Sequence, residues 1–128
     1  MAIRLYNTLT GLVEELRAPA GKPLGIYACG PTVYDYGHIG NFRTFVHVDI
    51  LRRFLEQQRV PLRHVMNITD VDDKIMRNAA ASGQSIGDYT AKYEKAFLED
   101  LDSLGVEKPE CLARATEHIP QMVGLVQQ

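Results

Sequence analysis

Two short apolar runs, separated by a helical stretch, dominate the first half of the chain. The runs are residues 24–29 and 62–68, and each has the length of a buried strand. From about residue 38 to residue 58, apolar side chains recur every three or four positions, as on an amphipathic helix. The order strand, helix, strand predicts a βαβ unit with parallel strands and a right-handed crossover.

The remaining segments extend this unit on both sides. Residues 1–23 contain several turn formers and predict a strand or hairpin followed by a loop. Further helices are predicted at residues 71–81 and 86–104, and another begins within residues 113–128. The sequence therefore predicts an α/β fold, with a Rossmann-like parallel sheet and flanking helices. Because the apolar helical pattern runs to the last residues, we expect the chain to be part of a larger protein.

The two longest predicted helices also allow predictions about which polar side chains are exposed and which aromatic side chains pack in the core. Arg52 and Arg53 fall outside the apolar stripe of the first helix, so we expect both on its polar face. Tyr89, Tyr93 and Phe97 recur at helical spacing in residues 86–104, and we interpret them as core packing.

Composition narrows the class of protein. The 128 residues are 45% hydrophobic and 23% charged, which fits one globular domain and argues against disorder. A net charge of −2 does not predict a surface built to hold nucleic acid. There is no signal-peptide pattern, no run of roughly 18 apolar residues, and no disulfide framework, since only two cysteines occur. We expect a cytoplasmic protein without membrane contact.

The turn that leads from the first strand of the βαβ unit into its helix is the candidate ligand site. Parallel sheets bind ligands at the carboxyl ends of their strands, and a helix start favours phosphate. Gly37 and Gly40 allow a ligand to approach the backbone closely. His38 and Asn41 share one side of the first helical turn, where each can donate a hydrogen bond to phosphate. The alternative is an ordinary glycine-assisted turn with a hydrogen-bonded histidine.

The motifs around this turn resemble one family. Pro31 and Thr32, followed by the sequence HIGN at residues 38–41, resemble the ATP-binding signature HIGH of class I aminoacyl-tRNA synthetases. Five stretches resemble the cysteinyl-tRNA synthetases in chain order: YNTLT (6–10), YACGPTVYD (27–35), HIGNFRTF (38–45), NITDVDDKI (67–75) and RATEHI (114–119). The resemblance implies that residues 1–128 are the amino-terminal part of a nucleotide-binding catalytic domain, the first half of a class I synthetase fold.

The resemblance also implies a two-step reaction. Cysteine attacks the α-phosphate of ATP, which is bound with Mg²⁺, and the resulting cysteinyl-adenylate passes its cysteinyl group to tRNA(Cys). His38 and Asn41 are then the catalytic residues that stabilise charge on the phosphates. Thr32 is expected to bind a phosphate oxygen, and Gly40 to leave room for the adenine and ribose.

By the same resemblance, Cys29 is the first ligand of a Zn²⁺ ion that binds the sulfur of the substrate cysteine. A soft metal ligand would separate cysteine from serine, which a steric pocket does poorly. Gly30 joins Cys29 in the expected substrate pocket. The family's remaining ligands, a Cys, a His and a Glu, are not found in the chain, so we expect weak zinc binding or none. The alternative for Cys29 is a small apolar residue that ends a strand.

An acidic run follows the second strand. Asp70, Asp72 and Asp73 invite a magnesium hypothesis, because carboxylates are the ligands that Mg²⁺ takes. Helix capping is favoured instead, with Thr69 or Asp70 as the cap and the other two carboxylates in the first turn. The resemblance adds that Thr69 and Asp70 line the substrate pocket.

Two parts of the family enzyme are not found in the sequence. One is the lysine-bearing KMSKS-type loop that grips the ATP phosphates, and the other is the helical region that reads the tRNA. We therefore expect these 128 residues to be inactive alone. One alternative is the related mycothiol-pathway ligase, which delivers cysteine to an amino-sugar and whose loop matches residues 31–33 and 38–41 less well. The other is a non-catalytic nucleotide-binding module.

Overall fold

The computed structural model describes residues 2–128, which form five strands, four α-helices and one short 3₁₀ turn. In chain order they are β1 (Arg4–Asn7), β2 (Leu12–Glu15), β3 (Leu24–Ala28), α1 (Ile39–Gln57), β4 (Leu62–Ile68), α2 (Asp73–Ser82), α3 (Ile86–Ser103), β5 (Cys111–Arg114), the 3₁₀ turn (Ala115–His118) and α4 (Ile119–Val126). Over residues 2–128, no helix combines the length and apolar character needed to cross a bilayer.

The strands form two separate sheets. β1 and β2 pair as an antiparallel hairpin, which confirms the prediction for residues 1–23. β3, β4 and β5 form a parallel sheet in that order, with β4 in the middle. Because α1 connects β3 to β4, the predicted βαβ unit is confirmed, and the predicted α/β fold with it.

The third parallel strand is absent from the prediction. β5 pairs with β4 from Val65↔Cys111 to Ile68↔Arg114, and the last of these residues lie in the segment predicted to begin a helix. Its four residues contain no β-branched or aromatic side chain, so local propensity gives no strand signal. The extended conformation of β5 therefore comes from its pairing with β4.

The hydrophobic core lies between the parallel sheet and helices α1 and α3. Phe42 and Phe45 of α1 meet Phe97 of α3, with ring centroids 5.9 and 4.9 Å apart. The same cluster includes Met66 and Ile68, two alternating residues of β4 that are fully buried. Because β4 presents every second side chain to these helices, one face of the sheet forms the floor of the core.

Arg52 is buried, so the expectation that it lies on the polar face of α1 is wrong. Its Nε donates to Glu56 Oε1 at 2.9 Å, and its Nη1 donates to the carbonyl of Lys108 at 3.0 Å. Glu107 and Glu110 add two further ion pairs. Most of these partners belong to the segment after α3, so the periodicity of α1 alone could not reveal them.

Two polar contacts fix the end of β5 and the turn that follows it: the first joins β5 to α3, and the second joins the turn to the residues just after β4. Arg114 Nε donates to both carboxylate oxygens of the buried Glu94, at 3.1 and 3.0 Å. Asp70, at the end of β4, accepts from the Thr116 backbone N–H at 2.9 Å and from the Thr116 hydroxyl. The stretch RATEHI therefore has a structural role, which sequence reasoning did not provide.

His64 of β4 is 3% exposed, and neither of its ring nitrogens has a hydrogen-bond partner among residues 2–128. Burial lowers the pKa of this imidazole, and the nearby Arg52 lowers it further, against weaker opposite effects of Glu110 and Asp49. The folded protein therefore favours the neutral ring.

We expect His64 to make the protein less stable in mild acid. In the unfolded chain the imidazole takes up a proton near its ordinary pKa of 6.5, whereas in the folded chain its pKa is lower and it takes up the proton only at a lower pH. The unfolded state then binds more protons, so the free energy of unfolding falls as the pH drops below about 6.5. Urea denaturation from about pH 8 to about pH 5.5 measures this slope. His64→Leu should flatten it and the exposed-residue control His47→Leu should not; an unchanged slope in His64→Leu would refute the assignment.

Arg114→Met should lower the free energy of unfolding by about 1.5–3 kcal/mol, because it leaves the buried Glu94 carboxylate without its charged partner. Urea denaturation near neutral pH measures the loss. Adding Glu94→Gln should recover part of it, since a neutral amide is easier to bury than a charge. The control is Lys95→Met on the same helix, whose exposed ion pair with Glu99 spans 3.8 Å and should contribute little. Equal losses in Arg114→Met and Lys95→Met would contradict the expectation.

Candidate functional site

A cavity of about 460 Å³ opens at the carboxyl end of β3. Six of the predicted site residues share its wall: Cys29, Gly30, Thr32, His38, Gly40 and Asn41. The rest of the wall comes from the same turn and from two helices, through Pro31, residues 33–37, Thr44, Phe45, Tyr93 and Phe97. The structure therefore brings the end of β3 and the start of α1 together at the cavity. Thr69 and Asp70 lie outside the cavity wall.

The start of α1 presents hydrogen-bond donors. His38 is the N-cap residue, with extended backbone, and its own N–H donates to Asn41 Oδ1 at 3.0 Å. This contact leaves the Nδ2 group of Asn41 for other acceptors. Within residues 2–128, the N–H groups of Ile39 and Gly40 have no acceptor, and the first turn of α1 contains no acidic residue. The helix start is therefore suited to an anion.

Two glycines of this turn lie in close contact with ring side chains. A Cβ on Gly40 would lie 3.0 Å from Cε1 of the His38 ring, and a Cβ on Gly37 would lie 2.7 Å from the Phe42 ring. A side chain at Gly40 would therefore push the His38 ring aside by a few tenths of an ångström. Besides leaving space for a ligand, Gly37 and Gly40 allow the rings of Phe42 and His38 to pack closely against the backbone.

Thr32 and Thr69 meet through their backbones. They form an isolated parallel bridge, in which the Val33 N–H donates to the Thr69 carbonyl at 3.0 Å and the Thr69 N–H donates to the Pro31 carbonyl at 2.9 Å. The backbone of Thr69 thus fixes the position of residues 31–33, which include Thr32. Its hydroxyl accepts from Nδ2 of Asn67 at 3.1 Å.

The three carboxylates of the acidic run have different positions. Asp70 is buried and accepts two hydrogen bonds from Thr116, as described above. Asp72 caps α2 by accepting from the Ile75 N–H at 2.7 Å, and Asp73 lies in the first turn. The capping interpretation is correct in kind, but the prediction of Thr69 or Asp70 as the cap is wrong. In the described part of the chain, no three His, Cys, Asp or Glu side chains are grouped to hold a metal ion.

Cys29 is exposed at the end of β3, directly at the cavity wall. It is a free thiol, and so is the half-buried Cys111 of β5. Exposure does not fit the alternative of a buried apolar strand end. Because Cys29 belongs to no group of three or more His, Cys, Asp or Glu side chains within residues 2–128, these residues do not form a complete zinc site.

Aromatic residues of α3 support the cavity, and sequence reasoning assigned them only to the core. The Tyr89 hydroxyl donates to the carbonyl of Tyr34 at 2.7 Å, which ties the turn to α3. Tyr36 packs edge-on against Tyr93 with ring centroids 5.1 Å apart, and Lys92 Nζ lies 5.3 Å from the centre of the Tyr36 ring. The Tyr89 hydroxyl and burial raise the pKa of Tyr93 to about 12, so this wall residue is neutral at physiological pH. The helical spacing predicted that Tyr89, Tyr93 and Phe97 share one face of α3. It did not predict that this face lies at the cavity.

Comparison with known proteins agrees with this geometry. The family described as tRNA synthetases class I (C) catalytic domain matches residues 16–128. Cysteine–tRNA ligases of Koribacter versatilis and Solibacter usitatus are 57% and 55% identical over 100% of the chain, and that of Brachyspira hyodysenteriae is 44% identical over 98%. The chain spans 26%, 28% and 26% of these relatives, or about a quarter of their length. The chain belongs to the class I (C) family of tRNA synthetase catalytic domains.

Proposed function

We propose that residues 1–128 form the amino-terminal part of the nucleotide-binding catalytic domain of a cysteine–tRNA ligase. This enzyme would activate cysteine with ATP and transfer it to tRNA(Cys). The observation that carries the proposal is the cavity at the end of β3, whose wall includes the HIGN turn, residues 38–41, and the thiol of Cys29. Relatives named cysteine–tRNA ligase match the whole of this chain and support the same activity. A cytoplasmic location stays a prediction.

The ATP phosphates, with Mg²⁺, would lie against the start of α1. The imidazole of His38 and the Nδ2 group of Asn41 would donate to phosphate oxygens there. The unpartnered N–H groups of Ile39 and Gly40, together with the positive end of the helix dipole, add to the attraction for negative charge. These groups would act most strongly where charge builds up as the α-phosphate is attacked, so they would lower the barrier as well as bind ATP. HIGN thus serves as the HIGH motif.

Thr32 and Gly40 would shape the rest of the nucleotide site. Thr32 is half-buried at the cavity wall, so its hydroxyl can reach a phosphate oxygen from the side opposite α1. Gly40 is exposed and keeps the backbone open where adenine and ribose would pass. Thr69 and Asp70 would support the pocket indirectly, since their contacts are to the Pro31–Val33 turn and to Thr116.

The substrate cysteine would bind at the strand end, beside Cys29 and Gly30. When zinc is bound, it supplies a soft acceptor for the substrate sulfur, which distinguishes cysteine from serine. Residues 2–128 contribute one thiol to such an ion and do not form a complete site. The contribution of this chain is therefore the position of Cys29, which is set by the backbone around it.

His38→Ala should lower the rate of cysteine-dependent exchange of pyrophosphate into ATP on the order of 10²–10³-fold, because a positioned donor to the transition state is lost. The assay uses a chimera in which these 128 residues replace the matching region of the Koribacter versatilis ligase, which is 57% identical. Asn41→Ala should also reduce exchange, with a part of the loss due to the contact with the His38 N–H.

The matched control is His47→Ala, an exposed histidine on the same helix that is not part of the cavity wall. Its exchange rate should stay within about twofold of the unsubstituted chimera, as for most exposed positions. Circular dichroism confirms that each variant is folded. Undiminished exchange after His38→Ala, or a folded unsubstituted chimera without cysteine-dependent exchange, would contradict the proposed function.

A further inference from the structure

The backbone of β3 gains one residue relative to β4 just before the cavity. Regular pairing ends at Ala28↔Met66 and resumes at the isolated bridge Thr32↔Thr69. Between these pairs, β3 has three residues, 29–31, and β4 has two, 67–68. The extra residue is a bulge, which breaks the ladder and re-aims the side chains near it. Cys29 and Gly30 therefore leave β3 without a regular strand partner.

The side chain of Asn67 fills this gap. Its Oδ1 accepts from the backbone N–H of Gly30 at 3.0 Å and from the hydroxyl of Tyr27 at 3.1 Å. Its Nδ2 donates to Thr69 Oγ1 at 3.1 Å. One amide thus replaces the missing ladder hydrogen bond and connects the strand before the bulge to the bridge after it.

The backbones approach so closely here that Gly30 cannot be replaced without movement. A Cβ at Gly30 would lie 1.8 Å from the carbonyl oxygen of Asn67 and 2.9 Å from the Met66 side chain. Gly30 is therefore held by backbone contact on one side and by the Asn67 amide on its N–H. Pro31, next in the chain, has no N–H, so of these two residues only Gly30 can donate a backbone hydrogen bond, and it donates to Asn67.

We infer that Asn67 is the positioning residue for Cys29. By holding the Gly30 N–H, it fixes the peptide that follows Cys29 and so the direction in which the thiol enters the cavity. Asn67 is not part of the cavity wall, so it acts through the backbone and not by touching a ligand. The inference rests on the proposed function only in assigning Cys29 to the cysteine pocket; the positioning itself is a property of this chain.

The chemistry of the amide predicts which replacement is tolerated. In Asn67→Asp, one carboxylate oxygen still accepts from Gly30 and Tyr27, and the other accepts from the Thr69 hydroxyl, which can rotate to donate. In Asn67→Ala all three contacts are lost, and the N–H of the half-buried Gly30 loses its side-chain acceptor. Aspartate should therefore restore the bulge, whereas alanine should not.

The test measures the bulge directly in the 128-residue chain, with Cys111→Ser so that Cys29 is the reporting thiol. Amide hydrogen exchange at Gly30 and the rate of Cys29 alkylation by iodoacetamide are compared in Asn67→Ala, Asn67→Asp and the parent. Alanine should accelerate Gly30 exchange by about tenfold, the worth of one hydrogen bond, and shift the alkylation rate several-fold. Aspartate should stay within about twofold of the parent for both.

The matched control is Asn7→Ala. In the β1–β2 hairpin, Asn7 likewise accepts from a backbone N–H, that of Leu9, and donates to a side chain, Glu14. Asn7→Ala should leave the hydrogen exchange of Gly30 and the alkylation rate of Cys29 unchanged, even if it lowers the melting temperature. Unchanged Gly30 exchange in Asn67→Ala, or equal changes in Asn7→Ala, would overturn the inference, because the second result would indicate general destabilisation.

The chimera adds a functional arm. Asn67→Ala should raise KM for cysteine by about tenfold while KM for ATP stays within about twofold, and Asn67→Asp should restore the parental value. Equal increases in both KM values would contradict positioning of the cysteine pocket. A chimera without any pyrophosphate exchange would refute the proposed function but not the inference. Amide hydrogen exchange at Gly30 and alkylation of Cys29 decide the inference, and both are measured without ATP, cysteine or zinc.

Discussion

The parallel pairing of β3 with β4 is the constraint on which the site depends. It brings the carboxyl end of β3, the bulge at residues 29–31 and the start of α1 to one edge of the sheet. That edge is where an α/β sheet offers unpartnered donors and an opening between elements. A shift of this register by one residue would move alternate side chains, including Met66 and Ile68, out of the core. The buried face of β4 therefore fixes the geometry of the cavity.

Helix α3 connects the core to the cavity. Phe97 packs with Phe42 and Phe45 and also lines the cavity wall, while Tyr89 donates to the carbonyl of Tyr34 in the turn. The turn is thus held by contacts on both flanks: the strand bridge on one and the aromatic residues of α3 on the other. Such support keeps donors in place before a ligand arrives, which is the condition for electrostatic stabilisation of a transition state.

Periodicity in the sequence was sufficient to predict the βαβ unit and helices α1 to α3, which have amphipathic patterns, and turn formers were sufficient to predict a strand or hairpin within residues 1–23. β5 could not be predicted, since four residues without strand propensity become extended only by pairing with β4. The burial of Arg52 and the contact between Asp70 and Thr116 depend on partners 46 or more residues away, and no local pattern encodes them. The six residues line one cavity because one continuous turn carries them. Three of them, Cys29, Gly30 and Thr32, were assigned from the family resemblance, and their roles in binding stay predictions.

We propose that the phosphates of ATP bind at the start of α1. The most direct measurement is a crystal structure of the chimera with a non-hydrolysable ATP analogue and Mg²⁺. Phosphate oxygens should lie about 2.7–3.2 Å from the imidazole of His38, Nδ2 of Asn41 or the Gly40 N–H. An analogue bound with its phosphates at another part of the sheet, away from these three groups, would contradict this proposal.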